Sequence, residues 1–251
     1  RKSKSSPMNK ILVKTEEVLI SILCDLLKND KHVAVGAASP IPGAAALLAK
    51  EESKKKMRVT ILHSQLFNNF TDGARELFDC AAQGRIDTFF LGGVQIDERA
   101  NLNLVGTGKY PKLEKRFSGS FGSALMYYVV PKIILFREEH TTRTLVKKVD
   151  FISAPGISSK NVYRPGGPKY LLTNKALFSF NNDQKLFCLE KIAHGLSEVD
   201  IKSQTGFQYN LNEKISPFPY PTLERLNILR QKVAPMVSDF YPKFAKKIWS
   251  N

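Results

Sequence analysis

Residues 32–50, with the sequence HVAVGAASPIPGAAALLAK, decide the fold class of this chain. Residues 32–35 form a short apolar run that predicts a strand, and residues 36–43 are a turn of small residues and prolines. Residues 44–50 are rich in alanine and leucine, which are strong helix formers. A strand, a tight turn and a helix in this order make half of a βαβ unit, so the stretch predicts an α/β fold with a parallel sheet core.

The next apolar run, residues 57–62, predicts a second strand, and His63, Ser64 and Gln65 follow at its carboxyl end. Ligands of open parallel sheets bind beyond the carboxyl ends of the strands. We therefore expect the turn at residues 36–42 and the segment His63–Gln65 to share one ligand-binding edge. A strand-to-helix turn also presents backbone N–H groups that suit a phosphate or a developing oxyanion. Small residues for close helix–strand packing are an equal alternative explanation of that turn.

The rest of the chain alternates between helical and extended patterns. Apolar residues at helical spacing predict a helix over residues 15–28, with Thr15 as its N-cap. Alternating or apolar runs predict a C-terminal β-meander over residues 170–173, 177–180 and 185–189. Other predicted strands are residues 88–91, continued by residues 94–97, then residues 132–136 and 149–153; short helices are predicted over residues 198–204 and 223–232.

The composition is that of a soluble globular chain. Of 251 residues, 43% are hydrophobic, which excludes a mainly disordered or fibrous protein. We expect residues 1–14 to be a basic N-terminal extension, in which residues 1–7 are a candidate cloning remnant before Met8, and residues 15–251 to form a single domain. The net charge of +15 is spread along the chain and fits an anionic substrate better than a nucleic acid, for which only weak binding is expected.

The cysteines and the apolar runs bear on location and partners. Cys24, Cys80 and Cys188 are odd in number and widely spaced, so we expect reduced thiols in a cytoplasmic protein and neither a disulfide framework nor a metal site. No apolar run approaches 18 residues, so no membrane partner is expected.

The chain also contains several short motifs whose order carries a resemblance. They include FLGGVQID at residues 90–97, ANLN at residues 100–103 and KRFSGSFG at residues 115–122. HTTRTLVKKVDFISAPG follows at residues 140–156, and GPKYLLTNK at residues 167–175. In this order, and together with residues 32–40, they resemble the β subunit of a family I CoA-transferase of the glutaconate branch. The similarity is closer still to the β subunits of steroid-ring-degrading CoA hydrolases.

The resemblance implies an open α/β sandwich of the CoA-transferase type and a heteromeric enzyme with a homologous α subunit. The acyl-CoA site would lie between the subunits, coenzyme A would enter as part of the substrate, and no metal would be needed. In the transferases, a Glu at the end of the second strand attacks the acyl-CoA carbonyl. His63 matches that position, and the next acid along the chain is Asp72. An imidazole cannot form the acyl anhydride that CoA transfer requires.

The second loop also departs from the transferase pattern. Phe121 stands in a run that is glycine-rich in the transferases, and Ala38 replaces a glycine of the first turn. We expect both changes to remove a positive-φ option and to reshape the acyl pocket. The resemblance and the strand ends together give the candidate substrate- and CoA-binding residues, which are Gly36, Ser39, Pro40, Gln65, Arg116, Gly119, Phe121 and Gly122.

The same candidates keep structural alternatives. His63 either orients water or substrate, as a histidine can near neutral pH, or is a polar residue packed into the old Glu position. Arg116 either pairs with a substrate carboxylate or a CoA phosphate, or is a solvated surface residue. Gln95, Asn101 and Asn103 are expected to stabilise their loop through side-chain-to-backbone hydrogen bonds.

The predicted function is hydrolysis of the thioester or a ring bond of a bulky acyl-CoA, by a β subunit that needs its α subunit. Either an α2β2 assembly or self-association is expected, because no carboxylate accompanies the candidate residues and the catalytic set is incomplete. The alternatives are a CoA-transferase subunit with its nucleophile elsewhere, a non-catalytic scaffold subunit, and a basic nucleic-acid-binding module.

Overall fold

Eight strands form the central sheet of the protein in a computed structural model, which describes residues 12–54 and 56–250. Most of the predicted N-terminal extension lies outside these residues. The strands are β1 His32–Val35, β2 Arg58–Ile61, β3 Thr88–Leu91, β4 Gln95–Ile96, β5 Leu102–Asn103, β6 Gly106–Thr107, β7 Lys115–Arg116, β8 Lys132–Phe136, β9 Pro168–Leu172, β10 Ala176–Asn181, β11 Leu186–Ile192 and β12 Asn210–Pro217. The helices are α1 Thr15–Leu26, α2 Pro40–Glu52, α3 Gly73–Ala82, α4 Ser123–Val129, α5 Glu198–Ser203, α6 Leu223–Ile228, α7 Ala234–Phe240 and α8 Pro242–Trp249, with a π-helical turn over Leu229–Val233.

The strand order places a topological switch between β1 and β3. The order is β12-β11-β10-β9-β8-β3-β1-β2, and β2, β1, β3, β8 and β9 run parallel. The chain leaves β1 toward β2 at the sheet edge and returns to β3 on the other side of β1. A crevice forms at the carboxyl ends of strands where the winding direction reverses, so the topology sets the ligand edge between β1 and β3.

Helices cover both faces of this sheet, and each face has its own apolar core. On one face α1, α2 and α7 contribute buried side chains such as Leu23, Leu47 and Val237. On the other face α3 and α4 contribute Leu77 and Tyr127. Burial on both faces explains why the parallel strands read as continuous apolar runs rather than as alternating ones.

The α/β class and the parallel core predicted from the sequence are confirmed. Strands β1, β3 and β8 begin and end at the predicted residues. The C-terminal β-meander is also confirmed, because β9, β10 and β11 pair antiparallel in succession. In the turn between β10 and β11, the Asn181 side chain accepts hydrogen bonds from the backbone N–H groups of Asp183 and Gln184.

Two predicted helix starts are wrong. Helix α2 begins at Pro40 rather than at residue 44, because a proline fits the first turn of a helix, where its missing N–H has no intrahelical partner. The backbone N–H of Gly43 donates to the Ser39 carbonyl oxygen at 2.9 Å, so the turn is confined to residues 36–39. Thr15 is the first residue inside α1, and its N-cap is Lys14, whose backbone N–H donates to the Glu17 carboxylate.

Two predicted strands are also wrong. Residues 94–97 do not continue β3, because β4 pairs antiparallel with β5 in a separate small sheet. Residues 149–153 form no strand, since the backbone N–H groups of Val149 and Asp150 donate to side chains instead. The N–H of Asp150 donates to Gln95 Oε1 at 2.9 Å, and that of Val149 donates to Asp97 Oδ2 at 3.3 Å.

Helices α3, α4, α7 and α8 and strands β6, β7 and β12 were not predicted from the sequence. The predicted helix over residues 223–232 is α6 followed by the π-helical turn. Within the described ranges, no helix is both long and apolar enough to cross a membrane.

Candidate active site

A cleft of about 510 Å³ opens at the carboxyl edge of the parallel strands, at the switch between β1 and β3. Its walls come from the start of α2, the segment after β3, the segment after β8 and the loop before α4. The lining residues are Ala38, Ser39, Pro40, Ile41, Pro42, Phe90, Leu91, Gly92, Gly93, Val94, Leu104, Ser118, Phe136, Arg137 and Glu138. The sheet topology and the cavity therefore select the same place, which makes this cleft the candidate active site.

The turn between β1 and α2 forms one wall. Ala38 has a φ of 54°, in the left-handed region that favours glycine. The expectation that alanine removes the positive-φ option here is wrong, because Ala38 adopts that conformation itself. Ser39 and Pro40 line the cleft as predicted contacts would, whereas Gly36 lies behind it, with room for a Cβ that would contact the ring of Phe89 at 3.7 Å.

The backbone N–H of Ser39, a candidate oxyanion donor, already has a partner. It donates to the Tyr241 hydroxyl oxygen at 2.9 Å. Tyr241 lies at the junction of α7 and α8, where its own N–H donates to Val237 and its carbonyl accepts from Ala245. Burial raises the pKa of Tyr241, so its hydroxyl stays protonated at neutral pH.

His63 lies in the turn after β2, exposed to solvent and outside the residues that line the cleft. Its imidazole stacks on the ring of Tyr241 with centroids 5.3 Å apart and planes 6° apart. Tyr241 thus connects His63 to the turn at Ser39. Gln65 is also exposed, and Ser64 is buried, with its hydroxyl accepting from the Phe67 N–H at 3.0 Å.

The loop before α4 reaches the cleft through Ser118, while the predicted residues around it lie outside the lining. Arg116 is exposed on β7, paired with Gly106 of β6. Phe121 has a φ of 44°, so the expectation that it removes the positive-φ option is wrong as well. Gly119 has a φ of 99° and supplies a second left-handed residue in the same loop.

Gly122 is required by packing. A Cβ added there would lie 2.1 Å from the Phe78 ring, far closer than any real contact. The Phe78 ring also packs against Phe121, with centroids 5.7 Å apart. The close approach of α3 and the loop before α4 therefore explains why glycine stands immediately before this helix.

One acidic side chain, Glu138 after strand β8, lines the cleft and was not among the predicted site residues. Glu138 is an addition to the predicted set and not a neighbour of it, because His63, Arg116 and Gly122 lie outside the lining of the cleft. Applying the strand-end rule to β8, as to β2, would have found Glu138. Arg137 lies beside it and donates to Glu139 at 3.2 Å.

Glu139 holds this segment in place without lining the cleft. Its carboxylate accepts from Arg143 at 2.8 Å and from Thr141 at 2.8 Å. Hydrogen bonds from Arg143 and Thr141 lower the pKa of Glu139 to about 2. The carboxylate is therefore ionised at neutral pH and keeps the strand end fixed.

Gln95, Asn101 and Asn103 form a hydrogen-bonded cluster beneath the loop after β3. Asn103 Nδ2 donates to Gln95 Oε1 at 2.8 Å and to the Gly106 carbonyl at 2.7 Å. Asn101 Nδ2 donates to Asp97 Oδ2 at 3.1 Å, and Asn101 Oδ1 accepts from the Gly156 N–H at 3.0 Å. Within the described ranges, no group of three or more His, Cys, Asp and Glu side chains is arranged to hold a metal ion.

A match to a protein-family model assigns the chain. The model described as "Coenzyme A transferase" matches residues 17–190, which contain the parallel strands, the cleft and the meander up to β11. The chain belongs to the Coenzyme A transferase family.

Two curated relatives agree with that assignment. The chain is 27% identical over 154 residues to the glutaconate CoA-transferase B subunit of Acidaminococcus fermentans. It is also 27% identical over 154 residues to the 3-oxoadipate CoA-transferase B subunit of Pseudomonas knackmussii. These alignments cover 58% and 59% of this chain, and the chain spans only 56% and 58% of the two relatives.

Solved structures share the fold of this Coenzyme A transferase family member. Glutaconate CoA-transferase from Acidaminococcus fermentans superimposes with a TM-score of 0.78 at 20% identity, covering 91% of this chain and 97% of that one. Rhodococcus jostii IpdAB gives 0.77 at 20% identity, with 96% and 100% covered. The decarboxylase AibA/AibB gives 0.76 at 19% identity, with 96% and 100% covered.

Proposed function

We propose that this chain is the β subunit of a heteromeric acyl-CoA enzyme that passes the acyl group to water. The observation that carries the proposal is His63, which follows β2 at the position that resembles the nucleophilic Glu of the transferases. A carboxylate there would form an acyl anhydride and pass the acyl group to a second acid. An imidazole at this position favours a water-dependent reaction, in which histidine acts as a proton acceptor or an orienting group.

The geometry of the sheet argues that Glu138 does not take over the missing carboxylate's position. Strand β8 is separated from β2 by β3 and β1. Neighbouring strands lie about 4.8 Å apart, so the ends of β2 and β8 are roughly 14 Å apart. Glu138 instead faces the β1–β3 switch, where it lines the cleft with Ser39 and Ser118.

In the proposed reaction, Glu138 accepts a proton from a water molecule in the cleft. The water oxygen bonds to the acyl carbonyl carbon, the carbon–sulfur bond breaks, and CoA leaves as the thiol by taking up the proton that Glu138 accepted. The polar groups at the edge orient the thioester, and the α subunit supplies the remaining acid. The cleft volume of about 510 Å³ suits a cyclic or similarly bulky acyl group, and the same site would act on a ring bond of such a substrate.

The partner belongs to the same proposal. Both curated relatives are named as B subunits of CoA-transferases. The candidate set on this chain, His63 and Glu138, lies at an open edge of the sheet, so a homologous α subunit is proposed to close the site. An α2β2 assembly is the simplest arrangement, and self-association through the same face is the alternative.

The test measures CoA release by the co-purified complex from an acyl-CoA, without an added acceptor acid. Glu138→Gln should lower the rate at least about tenfold, as expected for the group that accepts the proton from water. His63→Ala should also lower the rate, through loss of an orienting group at the end of β2. His194→Ala is the matched control, because His194 is also exposed and also stacked on a tyrosine, with centroids 4.3 Å apart. An unchanged rate in both site variants would favour a scaffold subunit whose partner performs the chemistry.

Glu138 also favours a second candidate function, CoA transfer with the nucleophile at this position. Transfer would require an acceptor acid and would leave CoA on the Glu138 carboxyl as a thioester. Borohydride treatment during turnover would reduce that thioester to an alcohol, which mass spectrometry locates on the peptide. Detection of the alcohol on Glu138, with turnover that depends on an acceptor, would replace hydrolysis by transfer.

A further inference from the structure

We propose that Tyr241 is a positioning residue of the candidate active site, holding the β1–α2 turn and the imidazole of His63 in one fixed arrangement. The inference rests on the proposed function for the identity of the site, and on contacts of this chain for the role of the tyrosine. Tyr241 lies beyond residues 17–190, the segment that matches the family model.

The hydroxyl group and the ring of Tyr241 perform separate tasks. The hydroxyl oxygen accepts from the Ser39 N–H at 2.9 Å, at the amino end of the 13-residue helix α2. The ring lies parallel to the imidazole of His63, 6° apart and with centroids 5.3 Å apart. One side chain therefore fixes both the wall of the cleft and the group after β2.

Tyr241 is itself held from both sides. Its N–H donates to Val237 of α7 at 2.7 Å, and its carbonyl accepts from Ala245 of α8 at 3.0 Å. Val237 and Ala245 are both buried in the core that also contains α2. The C-terminal helices thus hold the backbone of Tyr241, and its ring packs against the same core and against Phe240, with ring centroids 4.9 Å apart.

The β1–α2 turn contains a strained residue, so other contacts must stabilise it. Ala38 adopts a φ of 54°, which costs an alanine free energy relative to ordinary conformations. Strained residues persist where surrounding contacts over-determine them. The hydrogen bond from the next residue, Ser39, to Tyr241 is such a contact. Without it, the turn would relax and the cleft wall at Ser39 and Pro40 would move.

Two variants separate the two tasks by nuclear magnetic resonance of the full isolated chain. Tyr241→Phe removes only the hydroxyl, so hydrogen exchange of the Ser39 amide should accelerate about tenfold, the effect of losing one hydrogen bond. The ring signals of His63 should stay in place. Tyr241→Leu removes the ring, so the His63 signals should also lose the upfield shift that a stacked aromatic ring causes. Tyr220→Phe is the matched control, because Tyr220 stacks on His194 elsewhere on the surface.

Kinetics of the complex then test the consequence for the site. Tyr241→Phe should lower kcat for CoA release about tenfold while KM changes little, because substrate contacts remain and their alignment is lost. Tyr220→Phe should leave both constants unchanged. The proposal is overturned if Ser39 exchange and His63 signals are the same in wild type and both Tyr241 variants, or if an active complex keeps its kcat in both. If the expected changes in Ser39 exchange and His63 signals appear but the wild-type complex does not turn over acyl-CoA, the proposed function is refuted. The positioning role of Tyr241 then still stands.

Discussion

His140 should make the stability of this protein fall between pH 7 and pH 5. The side chain is 1% exposed, with Nδ1 2.7 Å from Thr173 Oγ1 and Nε2 2.9 Å from Thr205 Oγ1. Burial lowers the pKa of His140 to about 4, and the positive charge of Lys175 acts in the same direction. The folded protein therefore keeps this imidazole neutral at pH values where an unfolded chain protonates it.

The magnitude follows from the two pKa values. The unfolded state keeps the ordinary pKa of about 6.5, so it takes up the proton first as the pH falls. The contribution of His140 to the free energy of unfolding is therefore fully present above pH 6.5 and is lost as the pH falls toward 4. By linkage, the loss between pH 7 and pH 5 is about 2 kcal/mol. Buried His32, whose pKa burial also lowers, adds to the loss in the same direction.

The assay is urea unfolding at pH 7, 6 and 5, followed by circular dichroism, for the wild type and His140→Gln. Glutamine lacks a titrating group and can still bond to both hydroxyls. Between pH 7 and pH 5, the free energy of unfolding of His140→Gln should therefore fall by about 2 kcal/mol less than that of the wild type. The contribution of His32 is common to both proteins and cancels in the comparison.

Equal pH slopes in wild type and His140→Gln would refute this reasoning. So would an imidazole signal of His140 that titrates near pH 6.5 in the folded wild type, a measurement that does not depend on the variant folding. Glu139, whose pKa is lowered to about 2, is present in both proteins, so its contribution cancels in the comparison.

Three further substitutions should lower the free energy of unfolding, measured by urea denaturation at pH 7. Gly122→Ala should cost about 1–3 kcal/mol, because its Cβ would overlap the Phe78 ring at 2.1 Å. Asn103→Ala should cost about 2 kcal/mol, because it leaves buried polar groups of its loop without partners. Tyr127→Phe should cost about 1 kcal/mol, because the buried hydroxyl donates to the Ala100 carbonyl at 2.8 Å.

Each of these substitutions has a matched control on the same chain. Gly36→Ala adds a Cβ with its nearest neighbour at 3.7 Å, Asn69→Ala removes an exposed amide, and Tyr163→Phe removes a hydroxyl from a side chain that is 88% exposed. All three should stay within about 0.5 kcal/mol of wild type. If a control lowered the free energy of unfolding as much as its matched substitution, the packing or hydrogen-bond reason given for that site would be contradicted.

The placement of the site was only partly predictable, and Glu138 shows the reason. Strand β8 was predicted correctly, so the residues at its carboxyl end were available as candidates. Glu138 is distant from His63 along the chain, whereas the sheet brings β8 close to the switch between β1 and β3. The order of the strands in the sheet, and not the distance along the sequence, places Glu138 at the cleft.

The sequence by itself determined the α/β class, the presence of a turn between β1 and α2, and the meander, because these depend on patterns within a few residues. Tertiary structure alone decided the rest of the site. The hydrogen bond between Ser39 and Tyr241 joins residues 202 positions apart. The positive φ angles of Ala38 and Phe121, and the contact of Gly122 with Phe78, likewise depend on neighbours that no local pattern specifies. Such contacts form only when the two helical faces close on the sheet, so their energies belong to the packed fold and not to any segment.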